Sequence, residues 1–120
     1  MFQPSSPRLR RTLNKVKAKT ESLSGLVVKE DEAAEPLQMV NYGIGGHYEP
    51  HVDYFGENMD VVRGDRVATM LFYLTSEVQG GATVFPFLNL AISPTKGSAL
   101  FWYNTRRNGQ GGDALTMHAG

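Results

Sequence analysis

The 120-residue sequence contains no cysteine, and this absence excludes disulfide bridges and thiolate metal sites. It contains no apolar run of the roughly 18 residues that a membrane-spanning helix needs, so we predict no membrane span. It has no excess of either charge, since 12 basic residues balance 12 acidic ones. No global field therefore draws it to nucleic acid, and we predict no nucleic-acid partner. The charged N-terminus is not followed by the apolar segment of a signal peptide.

The first part of the chain has the pattern of one amphipathic helix and a linker. Ser6 can cap the helix, Pro7 suits its first position, and Gly25 suits its end. The apolar stripe follows a helical period: Leu9, Leu13, Val16, Thr20 and Leu23. The polar run "KEDEAAEP" then predicts a linker, which makes residues 1–36 an N-terminal helix and linker.

Residues 37–120 differ in composition and predict a β-rich domain. Segments such as "RVATMLFYLT", "ATVFPFLNLAIS" and "SALFWYNT" are rich in β-branched and aromatic residues, and so is the longer "LQMVNYGIGGHYEPHVDYF". The runs "VQGGATVF" and "SPTKGS" predict tight turns. Short strands without intervening helices are typical of a sandwich, barrel or jelly roll, so the predicted fold class is mainly β with an N-terminal helix.

Histidine is also scarce, and two of the three histidines have partners that suggest a metal site. His51 and Asp53 are two residues apart, and such residues share one face of a strand. A distant histidine, His118, would complete a two-histidine, one-carboxylate set, which is typical of non-haem Fe(II) oxygenases. Two alternatives stay open. The His-x-Asp pair is also common on surfaces, and His47 could form a local zinc site with His51 and Asp53.

Three longer motifs resemble a known family. "NYGIGGHYEPHVD", "GGATVFP" and "GSALFWYN" together resemble the catalytic domain of the collagen prolyl 4-hydroxylase alpha subunit, over residues 37–120. The resemblance implies a double-stranded β-helix, or jelly roll. It also implies Fe(II), the co-substrate 2-oxoglutarate, dioxygen and L-ascorbate.

The resemblance also implies roles for individual residues. The positions that match the iron ligands are His51, Asp53 and His118. Tyr42 and Thr83 match positions that contact 2-oxoglutarate in related prolyl hydroxylases. A surface tyrosine and a threonine chosen for its β propensity are the alternative interpretations of these two residues.

Tyr48 and Trp102 match aromatic positions near the substrate groove of the family. Packing in the core is the alternative role for Trp102. The implied reaction is hydroxylation of peptidyl proline at C4, with decarboxylation of 2-oxoglutarate to succinate. The implied substrate is a proline-containing, collagen-like peptide. The implied partner is a protein disulfide isomerase subunit, and the implied location is the lumen of the endoplasmic reticulum.

The sequence departs from the family pattern at its end. In the family, a lysine beyond the distal histidine pairs with the far carboxylate of 2-oxoglutarate, whereas this sequence ends at Gly120. We therefore expect a jelly roll that is incomplete at its C-terminus. The alternative function is a non-catalytic or misfolded truncated fragment that acts at most as an interaction module.

Overall fold

The computed structural model describes residues 6–29, 33–56, 64–76, 79–108 and 111–120. The chain divides into two compact units, Met1–Asn41 and Tyr42–Gly120. Residues 30–32 of the predicted linker and Val78 of one predicted turn lie outside the described residues.

Within its described residues, the first unit contains one helix, α1, which spans Pro7–Ser24. The Ser6 hydroxyl accepts a hydrogen bond from the Leu9 amide at 3.2 Å, which satisfies one of the free N–H groups at the helix start. Gly25 ends the helix in the left-handed conformation, at φ 71°, and its amide donates to the Glu21 carbonyl. The predicted N-terminal helix is confirmed at both ends. Among the described residues, no helix combines the length and the hydropathy needed to cross a bilayer.

The second unit contains two antiparallel strand pairs within its described residues. The strands are β1 (Ala68–Phe72), β2 (Thr83–Phe85), β3 (Leu90–Ile92) and β4 (Ala99–Tyr103). β1 pairs with β4, so that Thr69 lies opposite Trp102, and β2 pairs with β3. All four strands fall within the apolar segments that predicted them.

Short turns join the later strands. Between β2 and β3, a 3-10 turn spans Pro86–Leu88 and ends at Asn89, whose φ of 49° is one that asparagine tolerates better than most residues. Between β3 and β4, Gly97 has a φ of 84°, and the Ser98 hydroxyl donates to the Thr95 carbonyl at 2.7 Å. The second of these is the turn that "SPTKGS" predicted.

The segment from 37 to 55 is where the strand prediction was wrong. Every residue of this segment is described, yet it contains no strand, only an isolated bridge between His51 and His118. The reason lies in its sequence, because Pro50 has no amide to donate and three nearby glycines disfavour a regular strand. The two-residue spacing of His51 and Asp53 predicts that they share one face of a strand. This prediction is wrong, because the segment that contains them is not a strand.

The last three residues lie between two other segments. The amides and carbonyls of His51 and His118 exchange two hydrogen bonds of 2.9 Å, and Gly120 bonds Tyr48 in the same way. On the other side, Ala119 exchanges two 2.9 Å bonds with Val84 of β2. These backbone bonds hold the end of the chain beside β2 and place His118 next to His51.

The most buried part of the second unit is small and mostly polar. Among the described residues, Phe85 is the only buried apolar side chain. The buried polar residues are Thr83, Asn104, Thr116 and His118. The interior of this unit therefore coincides with the region around the predicted iron ligands.

We expect Gly112→Ala to destabilise the second unit. A methyl group on Gly112 would clash with the ring of Tyr54. Tyr54 is the residue that follows Asp53 in the sequence. Crowding of this kind costs about 1–3 kcal/mol. The measurement is thermal or urea unfolding of the variant. Gly43→Ala is the matched control, because its new methyl group meets open space. Equal stability of the two variants would contradict the close contact between Gly112 and the Tyr54 ring.

Candidate metal centre

Three side chains converge in the interior of the second unit. One ligand atom from each of His51, Asp53 and His118 lies within 4.8 Å of the others. The Asp53 carboxylate is 3.5 Å from His51 Nε2 through Oδ1 and 3.8 Å from His118 Nε2 through Oδ2. Two ligand atoms bound to one ion at about 2.1 Å are about 3 Å apart when adjacent and at most about 4.2 Å apart when opposite, so both separations lie within reach of a shared ion and would shorten slightly around it.

An irregularity in the chain pairing orients His51. Between the Tyr48–Gly120 and His51–His118 pairs, the two residues Glu49 and Pro50 lie opposite the single residue Ala119. This arrangement has the residue count of a β-bulge, in which one extra residue bends the chain. The Glu49 carbonyl then lies 2.8 Å from His51 Nδ1.

A short turn does the same for His118. The Asp113 side chain accepts a hydrogen bond from the Leu115 amide at 3.0 Å and begins the 3-10 turn Ala114–Thr116. The Thr116 carbonyl at the end of this turn lies 3.0 Å from His118 Nδ1.

These two contacts fix the chemical form of both imidazoles. A carbonyl oxygen only accepts hydrogen bonds, so Nδ1 of each ring must carry the hydrogen. In the neutral ring Nε2 then keeps its lone pair, and Nε2 is the atom that faces Asp53 in both histidines. This orientation is the one that metal-binding histidines normally have.

Asp53 has a polar partner on β1. The Thr69 hydroxyl donates to Asp53 Oδ2 at 2.6 Å, and Asn104 Nδ2 donates to Thr69 Oγ1 at 2.9 Å. Asn104 is completely buried, with 0% of its surface exposed. A carboxylate backed by such a hydrogen bond presents its remaining lone pairs in a fixed direction.

Aromatic rings surround the two imidazoles. The Trp102 ring meets His118 edge-on with 4.9 Å between ring centres, and Phe85 lies 5.5 Å from His118. The Tyr48 ring lies 4.1 Å from His51. Trp102 and Tyr48, which the family resemblance places near the substrate groove, therefore both lie against predicted iron ligands. Trp102 also packs on Phe85, which fits the alternative role in the core.

The two residues predicted to contact 2-oxoglutarate differ in their surroundings. Thr83 is 5% exposed and shares a face of β2 with Phe85, which contacts His118. Tyr42 is 45% exposed and therefore lies in a more solvated setting than Thr83. Burial raises the pKa of the Tyr42 phenol, and the nearby Tyr48 raises that pKa further.

His47 stands apart from the cluster. Its Nε2 lies 2.9 Å from a Glu49 carboxylate oxygen and its Nδ1 lies 3.3 Å from the Gly45 carbonyl. The hydrogen bond to Glu49 raises the pKa of His47 and occupies Nε2, whereas Nε2 of His51 and of His118 lies farther from its carboxylate neighbour, at 3.5 and 3.8 Å. Within the described residues, the group able to hold a metal does not include His47, and the local zinc alternative loses its third ligand.

Sequence reasoning did not single out three residues near the site. Thr69 and Asn104 form the hydrogen-bonded path to Asp53, and the Tyr73 hydroxyl donates to Thr83 Oγ1 at 2.8 Å. Each is a polar group within or beside an apolar strand segment. Polar residues in such segments are the signal that could have found them, because burying them requires partners.

We predict that the isolated chain binds one divalent ion through the three converging residues. Titration with Co(II), followed by its visible absorption, should show one site in the wild type. His51→Ala and His118→Ala should each weaken binding by at least about 100-fold, since loss of an outer partner alone costs 10–100-fold. His47→Ala is the control and should bind as the wild type does. Weakened binding in His47→Ala alone would contradict the assignment.

The pKa of His47 offers a second measurement. The hydrogen bond to Glu49 raises this pKa, and the Gly45 carbonyl adds to the effect. Glu49→Gln removes the negative acceptor, so the pKa should fall towards its ordinary value. An NMR titration of the ring protons measures the change. An unchanged His47 pKa in Glu49→Gln would show that the pair does not form in solution.

Comparison with known proteins agrees with the geometry. A family model described as the 2OG-Fe(II) oxygenase superfamily matches residues 37–120. The chain is 42% identical over 112 residues to prolyl 4-hydroxylase subunit alpha-2 of Caenorhabditis elegans, covering 89% of the chain and 20% of that protein. It is 48% identical over 103 residues to the human subunit alpha-3, covering 82% of the chain and 19% of that protein. The chain thus spans about a fifth of the length of these curated relatives.

A solved structure shows the same fold. The viral collagen prolyl hydroxylase of Paramecium Bursaria Chlorella virus-1, in its 2OG complex, superposes with a TM-score of 0.63 at 23% identity. The superposition covers 99% of this chain and 66% of the viral one. The fold is therefore that of a jelly-roll type oxygenase with strands and one N-terminal helix. Because the family match extends over most of the sequence, the chain belongs to the 2OG-Fe(II) oxygenase superfamily.

Proposed function

We propose that the chain carries the catalytic centre of a prolyl 4-hydroxylase, which converts peptidyl proline to 4-hydroxyproline. The observation that carries the proposal is the convergence of His51, Asp53 and His118 with both Nε2 atoms turned inward. The identity of 41–48% to prolyl 4-hydroxylase alpha subunits supports the choice of reaction.

The three converging residues would hold Fe(II) on one side and leave the other positions open, as the facial arrangement of such ligands does. Bound Fe(II) supplies the dioxygen chemistry that joins decarboxylation of 2-oxoglutarate to hydroxylation of the substrate. In sum, 2-oxoglutarate, dioxygen and proline give succinate, carbon dioxide and hydroxyproline.

The chain's own residues bind and orient the reactants. Thr83 is a buried hydroxyl on the β2 face that carries Phe85, and Tyr73 fixes its direction. The Thr83 hydroxyl would donate a hydrogen bond to 2-oxoglutarate. Tyr42 would offer a second hydroxyl from the more exposed side. The Trp102 and Phe85 rings limit the access of water to His118.

The substrate proposed is a proline-containing, collagen-like peptide. Tyr48 is half exposed and lies against His51, so it offers an aromatic surface beside the predicted ion for a proline ring. L-Ascorbate as a reductant, a protein disulfide isomerase partner and the lumen of the endoplasmic reticulum complete the proposal. These three are taken from the family resemblance alone.

The test is an assay of the 120-residue chain with Fe(II), 2-oxoglutarate, ascorbate and a Pro-Pro-Gly repeat peptide. We expect succinate and 4-hydroxyproline in equal amounts. His51→Ala should lower both by at least about 100-fold, because a ligand contributes more than the outer partners whose loss costs 10–100-fold.

Two controls separate the parts of this proposal. A peptide with alanine in place of proline should give no hydroxyproline, and His47→Ala should keep the wild-type rate. Substantial hydroxyproline formation by His51→Ala would refute the ligand assignment. If the wild type forms succinate but no hydroxyproline, the proposed substrate is refuted. The proposal that the chain is a 2-oxoglutarate-dependent oxygenase would still hold.

A further inference from the structure

A polar path inside the second unit leads from the end of β4 to Asp53. It consists of Asn104 Nδ2, Thr69 Oγ1 and Asp53 Oδ2, joined by hydrogen bonds of 2.9 and 2.6 Å. The first two residues are 35 positions apart in the sequence and meet because β1 pairs with β4.

The direction of these hydrogen bonds is fixed by the chemistry of their ends. An ionised carboxylate only accepts, so the Thr69 hydroxyl must give its single hydrogen to Asp53. The hydroxyl oxygen can then only accept, so Asn104 must present its NH₂ group rather than its carbonyl oxygen. Both hydrogen bonds of the path therefore point towards Asp53, from the Asn104 amide to the Thr69 hydroxyl and from that hydroxyl to the carboxylate. The opposite direction of donation is not possible while Asp53 is ionised.

The backbone holds Asn104 rigidly at the start of this path. Its amide donates to the Val67 carbonyl at 2.7 Å, and its carbonyl accepts from the Asp113 amide at 2.8 Å. Asp113 begins the turn that carries the Thr116 carbonyl to His118. One buried residue thus connects β1, which holds Thr69, to the turn that orients His118.

The path distinguishes the two oxygens of Asp53. Thr69 engages Oδ2, while Oδ1 is the oxygen nearer to His51 Nε2, at 3.5 Å. Without the Thr69 bond, the carboxylate could rotate about its side-chain torsions and present either oxygen. With that bond, one rotamer is held in which Oδ1 lies 3.5 Å from His51 Nε2, and Oδ2, the oxygen bonded to Thr69, lies 3.8 Å from His118 Nε2.

We infer that Thr69 and Asn104 are positioning residues, which act through Asp53 to pre-orient the metal ligands. This inference rests on the proposed function, because it assumes that Asp53 binds the ion. It adds two residues behind the ligand set, since Thr69 bonds Asp53 and Asn104 bonds Thr69. A conformation that is fixed in advance spares the site the cost of ordering Asp53 at the moment of binding.

The competing explanation is that the two residues only stabilise the β1–β4 pair. A structural role would change the unfolding temperature and leave metal affinity alone. A positioning role would change metal affinity even where the apo fold is intact. Affinity and apo stability therefore have to be measured on the same variants.

The experiment uses the whole chain and Co(II) as the probe. Thr69→Val keeps the shape and removes the hydroxyl, Thr69→Ser keeps the hydroxyl, and Asn104→Leu removes the amide donor. Ser98→Ala is the matched control, because it loses a hydroxyl bond in the turn before β4. Co(II) affinity, the Co(II) absorption spectrum and apo unfolding are recorded for each.

We expect Thr69→Val and Asn104→Leu to weaken Co(II) binding by about 10–100-fold and to alter the absorption spectrum. Thr69→Ser should restore both, and Ser98→Ala should change neither. The Thr69→Val, Asn104→Leu double variant should bind about as weakly as Thr69→Val alone, because both changes break the same path. Thr69→Ala replaces Thr69→Val if the valine variant does not fold.

The outcomes separate this inference from the function on which it rests. If the wild type binds Co(II) and Thr69→Val, or Thr69→Ala in its place, binds it with the same affinity, the positioning role is refuted. The metal-site assignment would still hold in that case. Additive losses in the double variant overturn the shared path. A wild-type chain that binds no Co(II) overturns both the metal site and this inference.

Discussion

The reciprocal backbone pairing of His51 with His118 is the constraint on which the site depends. Two 2.9 Å hydrogen bonds bring together residues from opposite ends of the β-rich unit, and their ring centres lie 4.3 Å apart. Closing so long a loop costs entropy, and two hydrogen bonds offset only part of it. Ala119 extends the pairing to Val84 of β2, so the distal histidine is held from both sides.

The two histidines reach the same chemical state through different local structures. A bulge at Glu49 and Pro50 brings a carbonyl to His51 Nδ1, and a 3-10 turn brings one to His118 Nδ1. In both cases the carbonyl belongs to the residue two positions earlier. His47 has the same kind of carbonyl contact, but its Nε2 is hydrogen-bonded to the Glu49 carboxylate at 2.9 Å, whereas Nε2 of His51 and of His118 stands 3.5 and 3.8 Å from Asp53. The surroundings of Nε2 therefore distinguish the two ligand histidines from His47.

Local rules explain which parts of the fold could be predicted from the sequence. The capping of α1 by Ser6 and Gly25 and the strands around "ATMLF" and "ALFWY" depend on residues within a few positions of each other. The triad followed from scarce residue types and from family motifs. The bulge at Glu49 and Pro50 could not be predicted, because it depends on pairing with Ala119, far along the chain. The Thr69–Asn104 contact was hidden for the same reason.

The composition of the interior has a consequence for folding. Of the described residues, one buried side chain is apolar, Phe85, and the others are polar groups that contact the site or support it. Hydrophobic burial near the site is therefore small, and the unit depends on hydrogen bonds and on ring contacts. An ion held by His51, Asp53 and His118 would join two separate segments of such an interior, the one around residues 51–53 and the one around His118. Because a metal that binds only the folded state stabilises it, metal binding and folding should be coupled in this unit.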